Sequence, residues 1–184
     1  MANITAWAGD FEEGFAAAQK GDFATALRLW KPLAEQGNSS AQYNLGLMYD
    51  NGRGVAQDYK TAVKWYTLAA EQGFAPAQVN LGLMYDNGQG VAQDYKTAVK
   101  WYTLAAEQGL ASAQSLLGMM YETGKGVAQD DVKAYTWFNI AAIDGDQDAI
   151  KGRDIVAKLM TPAQLAQAQQ LATRCMKSSY KDCD

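Results

Sequence analysis

Apolar residues along this chain recur at helical spacing, not strand spacing. Ala41, Leu45 and Tyr49 stand at i, i+4 and i+8, one face of a helix. A second stripe follows, made of Ala62, Trp65 or Tyr66, Ala69 and Ala70. Asp58 precedes it as a candidate N-cap, and Gly73 follows at the C′ position. Between the stripes, Asn-Gly-x-Gly-Val at 51–55 offers glycines for a tight reversal and a valine to plug the end of the hairpin core. Gly46 lies inside the first helix, where Gly costs about 1 kcal/mol relative to Ala. Close approach of the partner helix is the expected reason, repeated at Gly82 and Gly118.

The pattern then recurs. Residues 41–76 and 77–112 differ only at Tyr43/Val79, Arg53/Gln89, Phe74/Leu110 and Pro76/Ser112, and 113–148 form a looser third copy in register. A 36-residue period without strand signals predicts stacked helical hairpins. The flanks differ, as the ends of a solenoid should. Residues 10–37 read as an N-terminal capping hairpin, with Asp10 and Glu13 in a capping-box pattern and a break at Gly21-Asp22. Ala26, Leu29, Trp30 and Ala34 form its buried stripe. Residues 149–175 read as a C-terminal capping hairpin and 176–184 as a tail. Asp146 is expected to cap the ninth helix, whose apolar residues are Ile150, Ile155, Val156 and Leu159. Thr161-Pro162-Ala163-Gln164 opens the tenth. The expectation is an all-α protein: a right-handed α/α solenoid of about five hairpins and ten helices, one domain over 1–184.

Composition removes several chemistries. Histidine is absent from all 184 residues, which excludes imidazole bases, Ser-His-Asp and Cys-His machinery and His-ligated metals. A net charge of −4 with no basic block leaves no electrostatic footprint for nucleic acid. No apolar run approaches the roughly 20 residues that cross a bilayer. The Gly-x-Gly loops follow no strand and lack both a third glycine and a Walker lysine, so they do not read as phosphate cradles. Asp144, Asp146 and Asp148 do not form an EF-hand loop, because no Glu stands at its twelfth position. The chain is therefore read as non-enzymatic, with no catalytic residue, cofactor or metal site.

Trp65, Trp101 and Trp137 recur at one repeat position beside alanines and are expected in the core, not on a sugar-stacking platform. Lys60, Lys64, Thr67 and Glu71, echoed by Lys96, Lys100, Thr103 and Glu107, read as a solvated stripe. The two cysteines, Cys175 and Cys183, flank Ser-Ser-Tyr-Lys-Asp near the C-terminus. They either close a small disulfide loop, which implies an oxidising compartment, or remain free thiols on a frayed tail. The opening MANITAWAGDF has neither the basic start nor the apolar run of a leader. Two locations follow: periplasmic or secreted if a leader has been removed, cytoplasmic if the chain is natural as written.

Ala41, Leu45, Gly46, Tyr49, Gly52, Gly54, Val55, Asp58, Ala62, Trp65, Ala69, Ala70 and Gly73, repeated in three copies over more than half the chain, resemble the Sel1-like repeat, a relative of the tetratricopeptide repeat. The resemblance implies a helical solenoid and an adaptor that binds proteins in a bacterial envelope, secretion or host-contact process. A subgroup of that family with paired cysteines in every repeat is linked to β-lactam binding or hydrolysis. The repeats here contain no cysteine, so a cell-wall enzyme or ligand protein is the second reading and a self-assembling scaffold the third. Aligning Leu45, Gly46 and Tyr49 with tetratricopeptide positions projects Tyr43, Leu47, Asp50 and Asn51 into a concave groove. The second copy adds Val79, Leu83, Asp86 and Asn87, and the third Ser115, Met119 and Glu122. Such a groove suits an extended peptide with apolar and some basic side chains, its backbone bonded by the asparagines. The competing reading has Leu47, Leu83 and Met119 packing on the neighbouring repeat and the acids solvated or capping turns. The expected partner is a protein or peptide segment, held by a monomer without nucleic acid.

Overall fold

A computed structural model describes residues 4–183. Among them are ten helices and no strand: α1 (Ile4–Gln19), α2 (Phe23–Glu35), α3 (Ser39–Asn51), α4 (Tyr59–Glu71), α5 (Ala75–Asn87), α6 (Tyr95–Ala106), α7 (Ala111–Thr123), α8 (Asp131–Ile143), α9 (Gln147–Ala157) and α10 (Pro162–Lys177). The expected all-α repeat solenoid is what forms. The helices group into two compact units, Met1–Gln93 and Asp94–Asp184.

In the first unit each of α1 to α4 packs on the helix that follows it. Its core gathers Ala26, Trp30, Leu33, Ala34, Ala41, Leu45 and Met48, with Val55 of the glycine loop packed against it. Gly46 serves close approach as expected, since a methyl there would collide with the ring of Tyr66. That glycine also settles which aromatic is central. Tyr66 is fully buried, whereas Trp65, one residue and about 100° further round the helix, is only half-buried.

One expectation fails at the N-terminus. Helix α1 begins at Ile4, so Asp10 and Glu13 lie inside it, exposed, and form no capping box. No proline interrupts 4–9, and the helix simply continues back through Asp10. The later caps fall where expected. The Asp58 carboxylate accepts from the backbone of Lys60 at 3.0 Å and of Thr61 at 3.2 Å, and from Thr61 Oγ1 at 2.6 Å. The Thr61 bonds hold its pKa below the ordinary carboxylate value. Asp94 repeats the arrangement with Lys96 and Thr97.

A buried glutamine fastens successive hairpins. Gln42 Nε2 donates to Ala34 O at 3.0 Å, Gln78 Nε2 to Ala70 O at 3.1 Å, and Gln114 Nε2 to Ala106 O at 3.2 Å. Each takes a carbonyl that the end of the preceding helix leaves without an intrahelical donor. The second glycine of each loop provides a further contact. Gly90, at φ 72°, and Gly126, at φ 73°, lie so close to the backbone of Tyr59 and Tyr95 respectively that a side chain would strike it.

In the second unit α6, α7, α8 and α9 pack in succession. Helix α10, expected to pair with α9, packs instead on α8, where the buried Ala168 and Ala172 permit close contact and Thr136 Oγ1 donates to Ala168 O at 3.3 Å. Phe138 sits between Gly118 and Gly152, both too near for a methyl. Trp137 joins this core, but Trp101, like Trp65, is half-buried. Of the apolar residues expected to anchor α9, Val156 is fully buried while Ile155 and Leu159 are 52% and 68% exposed. Cys175 and Cys183 are joined by a disulfide with Cα atoms 4.5 Å apart. The loop it closes lays the Tyr180 ring against Gly109 in the α6–α7 turn.

Candidate functional site

The groove residues of the first unit divide by what the fold already asks of them. The Tyr43 ring lies 5.3 Å from Phe74 and 6.0 Å from Tyr66 between ring centres, and burial pushes its phenol above the ordinary value. Tyr66 donates its hydroxyl to Asp50 Oδ2 at 3.0 Å. Burial first, and the Asp50 charge second, push the Tyr66 phenol far above its ordinary value, so it stays a donor. Asp50 is thus neither free nor a local cap. It is the acceptor that satisfies a buried tyrosine on the facing helix. Asn51 Nδ2 donates to Leu47 O at 2.8 Å, which spends one of the amide protons expected to reach a peptide.

The remaining positions differ in access. Val79 and Ser115 are buried, at 8% and 7% exposure, and present no surface to a ligand. Leu83, Asp86 and Glu122 are half-buried, Asn87 is exposed, and Met119 is 45% exposed. The carbonyl of Asp86 accepts from Gln93 Nε2 at 2.7 Å.

Leu47 has a distinct setting. It borders a hollow of about 250 Å³ between α1, α2 and α3, walled by Phe15, Phe23, Trp30 and Met48 and edged by Gln19, Asn44 and Arg53. Phe15 is 45% exposed. The Arg53 guanidinium lies 5.9 Å from the centre of the Phe23 ring, within cation–π range. Asn44, Arg53 and Phe15 escape the sequence reading. The signal for Arg53 was visible, because it is one of four positions at which the near-identical copies differ. Phe15 belongs to a hairpin too divergent to align by eye.

A second hollow, of about 290 Å³, lies beside Tyr49, Thr61, Lys64, Trp65 and Leu68. The tryptophan expected in the core therefore shows one side to solvent. Among the described residues no group of three or more His, Cys, Asp or Glu is placed to hold a metal. Among the same residues no helix is long and apolar enough to cross a membrane.

Comparison with known proteins matches the Sel1 repeat family model at residues 11–38, 39–74, 75–110 and 111–146. The N-terminal hairpin is thus a fourth repeat as well as an end. No curated protein matches the chain. A Sel1 repeat protein from Oxalobacter formigenes is 41% identical, with a TM-score of 0.64 over 70% of this chain and 97% of the other. The protein c5321, a protective antigen present in uropathogenic Escherichia coli strains and displaying an SLR fold, is 32% identical, with a TM-score of 0.55. That match covers 95% of this chain, which spans 47% of c5321. Cysteine rich protein B of Helicobacter pylori, 22% identical with a TM-score of 0.56 over 71% of this chain and 93% of its own, shares the fold.

Proposed function

The chain belongs to the Sel1 repeat family, and from that premise we propose that it is a non-enzymatic adaptor holding a peptide or protein segment along the face of its first helices. Sel1 repeats are in general protein-interaction modules. The observation that carries the reading here is the partly open hollow at Leu47, with Phe15 exposed at its rim and three polar side chains, Gln19, Asn44 and Arg53, at its edge. Catalysis has little support, since histidine is absent and the repeats contain no cysteine.

The same reading places the protein in a bacterial envelope, secretion or host-contact process, acting as a monomer in the periplasm or outside the cell. Two observations support this location. The Cys175–Cys183 pair is joined, and disulfides persist in oxidising compartments. A relative 32% identical is a protective antigen of a pathogenic bacterium.

The test is crosslinking in the native cell followed by mass spectrometry, then capture of the identified partner by the double variant Leu47→Asp with Leu83→Asp. The expected result is a folded variant that captures at least about tenfold less partner, as burial of unpaired carboxylates at an apolar contact demands. Undiminished capture by a helical, cooperatively unfolding variant would sink the groove. Alkylation of the same cells before lysis reads the thiols, and labelled Cys175 and Cys183 would contradict the oxidising location.

A further inference from the structure

We infer that α4 offers a second docking face, at the hollow bordered by Tyr49, Lys64, Trp65 and Leu68. Its occupant is an α-helix of a partner protein that turns alanines to Trp65 and Leu68 and carboxylates to Lys60 and Lys64. The inference goes beyond the adaptor reading, because this face runs along a second helix of the array and stands or falls without the groove.

The third copy shows how such a face is filled. Two periods on, the residues that border the hollow correspond to Tyr121, Lys133, Thr136, Trp137 and Ile140. Helix α10 packs on α8 there. Thr136 Oγ1 donates to Ala168 O at 3.3 Å, and Lys133 stands beside Gln167 and Leu171. Thr136, Trp137 and Ile140 are all buried. In the first two copies the same positions are open. Leu68 and Leu104 are each 44% exposed, against 2% for Ile140, and Trp65 and Trp101 are half-buried. All three copies have a following helix packed on the second one, so α10 is what distinguishes the third.

This internal template also sets the chemistry of the occupant. Close packing of α10 relies on the buried Ala168 and Ala172, one turn apart, and bulkier side chains there would hold the two helices apart. Charge is where the first copy departs. Helix α8 carries Val132 and Thr136 where α4 carries the exposed Lys60 and Lys64. Gln167 and Gln170 of α10 share a hollow with Val132. They mark the positions at which an occupant of α4 needs carboxylates, and Arg174, beside them, the position at which a cation is repelled. Helix α10 lacks the charge that α4 asks for, which favours a foreign helix over the α10 of a second copy.

The test uses the full chain and three fluorescein-labelled peptides read by anisotropy. The first has the sequence of 161–177 with Gln167→Glu, Gln170→Glu, Arg174→Gln and Cys175→Ala, and retains the Thr161–Gln164 capping box that favours its helix. The second adds Ala168→Leu and Ala172→Leu to the first. The third carries Cys175→Ala alone. The first should bind at least about tenfold more tightly than the second. It should bind at least about threefold more tightly than the third, an advantage that disappears in about 1 M salt. Leu68→Lys with Leu104→Lys, both at exposed positions, removes the face from both near-identical copies and should weaken the first peptide at least about tenfold. Leu47→Asp, in the groove, should leave that peptide unaffected. The inference is overturned if the first peptide fails to bind at millimolar protein, if the second or third binds as tightly as the first, or if Leu68→Lys with Leu104→Lys changes nothing. A dimer in sedimentation that Leu68→Lys dissolves would overturn it too, since the occupant would then be a second copy. The groove has its own test in Leu47→Asp with Leu83→Asp, so the two faces fail separately.

Discussion

Gln114 Oε1 is a buried acceptor without a donor, and the cause lies thirty positions further along the chain. In the first copy Gln42 Oε1 accepts from Gln72 Nε2 at 2.7 Å. The position that corresponds to Gln72 in the third copy holds Asp144, which offers only acceptor oxygens. Asp144→Gln is expected to supply the missing donor and raise stability by about 1 kcal/mol. A urea titration checks this as a higher midpoint with unchanged slope. Gly46→Ala should act the other way, losing about 1–3 kcal/mol as the new methyl displaces the Tyr66 ring. That glycine was legible in the sequence, because three copies carry it at a helical position where nothing local favours it. The choice between Trp65 and Tyr66 was not, since neighbours on a broad apolar face satisfy the same periodicity and only the facing helix decides. Asn44 was hidden for a related reason, and the visible difference between Arg53 and Gln89 had no meaning by itself. Their significance depends on what the preceding hairpin places opposite, which no repeat alignment contains.

Helix ends carry the clearest consequences of pH and redox state. Bonds from Thr61 and Thr97 lower the pKa values of Asp58 and Asp94 in the folded chain, and the backbone bond from Thr25 does the same for Asp22. A carboxylate lowered on folding contributes stability that is complete above its unfolded value and lost as pH falls through the folded one. Melting temperature should therefore be insensitive to these caps above about pH 5 and fall below about pH 4. Asp58→Asn with Asp94→Asn keeps a capping acceptor without the charge and should blunt that acid decline, as thermal melts by circular dichroism would show. At the other end, the disulfide ties Cys175, inside the last turn of α10, to Cys183 beyond it. Cys183→Ser should cost about 2.5 kcal/mol by the chain-entropy model. Added reductant should bring the native chain down to the variant and leave the variant unmoved. The caps at Asp58, Asp146 and Thr161 were readable because each needs only its own next three residues. The start of α1 and the docking of α10 were not. The first turns on the absence of a stop signal, the second on the small side chains of a helix distant in sequence.

Across the whole molecule, stability in a repeat array is close to a sum of units and nearest-neighbour interfaces. The residues of α6 repeat those of α4 from Tyr59 to Ala70, and α6 packs on α7. Deleting 77–112 would present α7 with an equivalent helix, joined through Pro76 to Ala113. The shortened chain is expected to keep its ellipticity per residue and a cooperative unfolding transition; an aggregated or non-cooperative product would show that the copies are not interchangeable. The glutamine fastening also sets a direction for such changes. Counting one period on from Gln42, Gln78 and Gln114 reaches Ile150, which has no amide, so Ala142 O keeps only the turn bond from Gly145 that its counterparts Ala34, Ala70 and Ala106 also accept from Gly37, Gly73 and Gly109. Growth by duplication can thus proceed anywhere inside the array, each inserted block arriving with its own latch. A block appended past the third copy finds none, and a designer wishing to lengthen the protein at that end would have to begin with Ile150→Gln.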